Sequence, residues 1–142
     1  MRTLTLAITA ALLALTVPPR LATPAFGETR RIGPEQTLNR RIAPGGTVRV
    51  FTYGRWDSAC NPLPAPDIVV RTQPLHGTVV IQPGQAEVRV VREGAPDCTG
   101  RVMPGTAVFY RAEPGYRGTV QFDYDVLNGS EARHDTAVIQ VN

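Results

Sequence analysis

Between Thr106 and Asn128 the chain reads TAVFYRAEPGYRGTVQFDYDVLN, and this stretch restricts what the whole can fold into. In its second half Val120, Phe122, Tyr124 and Val126 alternate with Gln121, Asp123 and Asp125. A two-residue period sends the apolar set to one face of a β-strand and the acids to the other. In the first half both faces carry bulk: Ala107, Phe109 and Arg111 on one, Val108 and Tyr110 on the other. Between them, Glu113-Pro114-Gly115-Tyr116-Arg117-Gly118 reads as a turn, because proline fixes φ and glycine takes positive φ at little cost. The spacing predicts strand, tight turn, strand: a hairpin that other strands must cover.

Similar alternation recurs upstream and downstream. Strands are expected over 37–42, 47–53, 67–72, 77–82, 85–92 and 134–141. In 47–53, Val48, Val50 and Thr52 alternate with Arg49, Phe51 and Tyr53, and bulk on both faces suggests a central strand. Pro83-Gly84 is expected to be a turn, and 54–66 and 93–105 are expected to be long loops. In the last strand Ala137, Ile139 and Val141 face away from Thr136, Val138 and Gln140. No helical period follows residue 27, and short strands between Gly/Pro turns imply a sandwich or barrel.

The run P-G-Y-x-G-x-x-x-F-x-Y-x-V over Pro114–Val126, with Pro74-Leu75-His76-Gly77-Thr78-Val79 before it and Asn128-Gly129 after, resembles the closing half of bacterial immunoglobulin-like or cadherin-like domains of exported proteins. The likeness spans roughly Thr72 to Val141. Val120 stands where those domains usually carry Asp, and Pro114 comes two residues later than their usual proline. The resemblance implies an all-β fold: a single immunoglobulin-like (cadherin-like) antiparallel β-sandwich of about seven strands, following a signal peptide.

The N-terminus reads as that signal peptide. Met1-Arg2 is positive, 4–17 is apolar apart from threonines, and small residues run to Gly27. The apolar run is too short to span a bilayer well, although an N-terminal anchor is the alternative reading. The expected organisation is a leader over 1–27, a flexible arm over 28–36 and one domain over 37–142. All 12 acidic residues and all but two of the 15 cationic ones follow Gly27, so the mature net charge falls from +3 to +1. That is too small for a nucleic-acid face. Arg30-Arg31 and Arg40-Arg41, the only basic pairs, are expected to be solvated. The implied location is periplasmic or secreted.

Cys60 and Cys98 are then expected to form a disulfide, with free thiols as the alternative. Closing a loop of this length stabilises by roughly 4 kcal/mol in the chain-entropy account. One conflict follows from the strand count. If every strand reverses direction, the two cysteine loops fall at opposite ends, whereas a bridge needs Cα atoms within roughly 7 Å. A missed strand within 54–66 or 95–103, or a loop folded back along the sheet, would reconcile them.

Catalytic patterns are sparse. The only serines, Ser58 and Ser130, lack a nucleophile elbow, and two histidines, His76 and His134, are too few for a three-histidine zinc site. Asp123 and Asp125 fall on the solvent face of their strand, where an acid–base pair lacks the burial it needs. No cofactor is implied; calcium is the one metal candidate, through Asp123, Asp125, Asn128, Glu131 and Asp135. The expected contact surface is Tyr53, Arg55, Trp56 and Asp57, since aromatic and Arg side chains dominate binding hot spots. Packing of Trp56 beneath its own loop is the alternative. These residues imply a non-enzymatic binding, adhesion or envelope module with a protein or glycan partner. The alternatives are a periplasmic calcium-binding sandwich, a small enzyme, or an edge-strand partner in a larger assembly.

Overall fold

The structure is a computed structural model describing residues 30–31, 35–89 and 97–142. The expected leader and residues 28–29 and 32–34 of the expected arm lie outside the described residues. Among the described residues there are eight strands: β1 (Arg30–Arg31), β2 (Gln36–Ile42), β3 (Thr47–Gly54), β4 (Asp67–Thr72), β5 (Thr78–Glu87), β6 (Val102–Arg111), β7 (Gly118–Asn128) and β8 (Glu131–Val141). The large sheet runs β1-β8-β7-β4, with β2 also on β8; the small sheet runs β3-β6-β5. β1 and β2 lie parallel to β8, and every other pairing is antiparallel.

The two sheets bury their alternating apolar residues against each other. Val50, Tyr53, Val108 and Tyr110 of the small sheet meet Val120, Phe122, Tyr124, Val126, Ala137, Ile139 and Val141 of the large one. Burying a side chain of this size stabilises by about 1.5–3 kcal/mol. The apolar sets expected for β7 and β8 are the ones buried.

Four details differ from the expectations. First, β6 and β7 are not a hairpin. They belong to different sheets, and the turn at 112–117 carries the chain across the sandwich. Bulk on both faces of β6 fits this placement: Met103 and Ala107 are buried on one side, Val108 and Tyr110 on the other. Second, β3 is an edge strand, and its register shifts between Arg49 and Phe51. That bulge changes which side chains face inward, so Val50 and Tyr53 are buried while Thr52 is not among the core residues.

Third, Pro83-Gly84 is no turn. β5 runs straight through it, with Pro83 opposite Thr106 and Gly84 opposite Gly105. Proline cannot donate to a ladder, but β5 is at the sheet edge and one side needs no donor. Correspondingly, Val102–Gly105 belongs to β6 rather than to a loop. Merging two expected strands into one removes a reversal, and this resolves the cysteine conflict. The chain leaves β3 after Gly54, leaves β5 after Glu87 and enters β6 at Val102 at the same end of the small sheet, and Cys60 and Cys98 join there with Cα atoms 5.6 Å apart. Fourth, within the expected arm, Arg30 and Arg31 pair with Glu131 and Ala132. Arg40, expected in solvent, reaches from β2 to β3, where its guanidinium donates to the Arg49 and Val50 carbonyls beside the bulge.

Candidate functional site

The disulfide organises a second core. Cys60, Cys98, Val88 and Met103 are buried together, with Trp56 packed on them. Met103 alternates with Val108 and Tyr110 along β6, so this core lies on the opposite face of the small sheet from the sandwich interior. Each cysteine is set by a local turn. The Asp57 carboxylate accepts from the Ala59 and Asn61 amides, both at 2.8 Å, and from the Asn61 side chain at 3.0 Å. Asp97 accepts from the Thr99 amide at 3.0 Å. These hydrogen bonds hold both carboxyls below their usual range, Asn61 acting most strongly on Asp57 and Thr99 on Asp97. The chain enters Cys60 in a left-handed conformation, φ 63°.

The expected contact residues are therefore divided. Arg55, Trp56 and Asp57 lie on the disulfide-pinned loop, with Trp56 bridging Pro62 across it and packing on the second core. Tyr53 is not with them: it is 6 % exposed and faces the sandwich interior. There its hydroxyl donates to Asp135 Oδ2 at 2.6 Å. A tyrosine has one proton to give, so Tyr124, 2.6 Å away, donates to the Tyr53 oxygen.

Asp135 is the centre of this interior network and is 0 % exposed. Arg133 Nη2 donates to it at 2.9 Å, and the same guanidinium lies 5.2 Å from the centre of the Tyr53 ring. The Gln36 amide, first in β2, donates to Oδ1 at 3.2 Å. The network thus fixes where β2 begins on β8. Burial raises both tyrosine hydroxyls above their usual range, Tyr124 to about 12. Removing one partner of a buried ion pair such as Arg133–Asp135 typically costs about 3–5 kcal/mol, because the other charge stays buried.

The five candidate calcium ligands do not converge. Asp135 faces the interior, whereas Asp123 and Asp125 face outward on β7. Asp125 is taken up by His134 Nδ1 at 2.9 Å and by the Arg71 guanidinium, whose Nε donates at 2.6 Å. Asp123 accepts from the Thr136 hydroxyl at 2.7 Å. Asn128 and Glu131 pair across the β7–β8 turn. Among the described residues there is no group of three or more His, Cys, Asp or Glu that could hold a metal ion. His134, four residues after Ser130, turns instead to Asp125 on the facing strand. His76 pairs with Glu113 at 3.1 Å and stacks on Tyr116, ring centres 4.1 Å apart.

Sequence reasoning did not single out Asp135 as an interior residue or Arg40 as an edge cap. A signal existed for Asp135: it sits in phase with Ala137, Ile139 and Val141. In comparisons with known proteins, the chain matches no family model, no curated protein and no solved structure. Among the described residues no helix is long and apolar enough to cross a membrane.

Proposed function

We propose that the chain is an exported, non-enzymatic immunoglobulin-like module serving in binding, adhesion or envelope structure, in the periplasm or outside the cell. The disulfide carries this reading. It joins two segments over a second core, a device characteristic of oxidising compartments. Strand order supports the kinship: β3-β6-β5 facing β4-β7-β8 matches the B-E-D and C-F-G arrangement of immunoglobulin sandwiches, with β2 moved across to the last strand. The assignment to binding rather than catalysis rests on the polar groups. Asp57, His76, Asp125, His134 and Asp135 each hold a neighbour in place. The Arg55–Trp56 loop, stiffened by its bridge, is the surface offered to a protein or glycan at low ordering cost.

Fractionation of cells producing the full chain, with N-terminal sequencing and thiol alkylation, tests this. The expected product is outside the cytoplasm, begins near Ala25–Gly27 and resists alkylation until reduced. A cytoplasmic product with two free thiols, or hydrolysis of nitrophenyl esters or glycosides by the purified protein, would overturn the reading.

A further inference from the structure

At the end of the sandwich opposite the disulfide, one side chain stands apart. Leu75 is 92 % exposed, while the other exposed large apolar residues among those described range from 38 % to 56 %. The turn that presents it, between β4 and β5, is firmly held. Pro74 before it is buried. The Tyr110 hydroxyl donates to the His76 carbonyl, and the His76 ring stacks on Tyr116 of the neighbouring 112–117 turn. Gly77 has φ +124°, and a Cβ there would fall 2.6 Å from the Tyr110 hydroxyl. A leucine fixed in water by its own scaffold has already met the ordering cost of being used.

This end of the fold carries two exposed arginines. Arg111 ends β6 opposite Thr78, and Arg117 follows Tyr116; both are exposed, and neither side chain forms an ion pair among the described residues. The three turns at this end, 43–46, 73–77 and 112–117, contain one acid, Glu113, and it is tied to His76. One protruding leucine cannot furnish the roughly 800 Å² per partner of a standard protein interface. It can enter the boundary of a bilayer while arginines at the same end of the sandwich pair with phosphates and a tyrosine sits at headgroup level.

We propose that this end of the sandwich docks on anionic lipid bilayers, Leu75 inserting and Arg111 and Arg117 contacting the headgroup phosphates. The inference goes beyond the function proposed above: it concerns the opposite end of the molecule and stands whether or not the Trp56 loop binds anything. Co-sedimentation with vesicles tests it, using phosphatidylcholine alone or mixed with phosphatidylglycerol, at low ionic strength. The protein is expected to partition onto the mixed vesicles and not onto phosphatidylcholine. Leu75→Asp and the Arg111→Gln/Arg117→Gln pair should each reduce the partition coefficient, by about fivefold for each arginine lost. Leu75 is so exposed that its substitution leaves folding intact, which circular dichroism checks. Equal partition onto both vesicles, or undiminished binding by Leu75→Asp, overturns the proposal. So does failure to bind vesicles combined with Leu75-dependent self-association in sedimentation velocity, which would assign the tip to a protein contact.

Discussion

Asp123 and Asp125 lie two residues apart on one strand face, yet their environments differ. Asp123 meets a hydroxyl, whereas Asp125 meets an imidazole and a guanidinium. Burial would raise the Asp125 carboxyl, but hydrogen bonds and charge from His134 and Arg71 outweigh it and hold it below the ordinary 3.8. A depressed folded value means stability that is present above the unfolded value and lost as pH falls through the folded one. Urea unfolding of the wild type should therefore lose more stability than Asp125→Asn between about pH 5 and pH 2. Equal losses would show that the pair contributes nothing. The alternation that put these acids outside was plain in the sequence. Their partners were not, because Arg71 is 54 positions away and only the β4–β7 ladder brings it across.

At the scale of the element, the small sheet depends on a row of glycines. Gly54 faces Gly105, which faces Gly84, so all three strands lack a side chain at one level. A Cβ at Gly105 would fall 2.5 Å from the Tyr53 carbonyl oxygen, and one at Gly84 2.9 Å from the Ala107 Cβ. Backbone cannot yield as a flexible side chain can, so Gly105→Ala is expected to cost about 1–3 kcal/mol. Thermal unfolding would register this as a clear fall in Tm; an unchanged Tm would mean the strands separate freely there. Read locally, Pro83-Gly84 has the composition of a turn. The strand wins because β5 can hold proline at an edge and because Gly84 and Gly105 allow the close approach. Local chemistry offered two answers at this point, and pairing with β6 selected one.

At the scale of the whole molecule, the disulfide ties the chain together beyond the two sheets. Cys60 and Cys98 close a loop of 38 residues, and replacing both with alanine should cost about 4 kcal/mol in urea. Trp56, the single tryptophan, packs on this bridge, so its fluorescence should change on reduction before the β-sheet circular dichroism does. Simultaneous loss of both signals would show that the second core has no independence from the first. Among the described residues, three of the sheet edges discourage recruitment of another chain, whereas β2 pairs only with β8. β5 carries Pro83, β4 is six residues long, and Arg40 occupies carbonyls of β3.

The sequence by itself determined the all-β character, most strand positions and the interior faces of β7 and β8, because period-two alternation is local. It also identified the cysteine pair, through an even count in a chain that begins with a leader-like segment. Only the tertiary structure decided that β6 and β7 part into different sheets, that β5 passes through Pro83-Gly84, and that Tyr53 turns inward to Asp135. Each of these depends on which strand lies alongside, and a residue's immediate neighbours in the chain carry no information about partners 20 to 100 positions away.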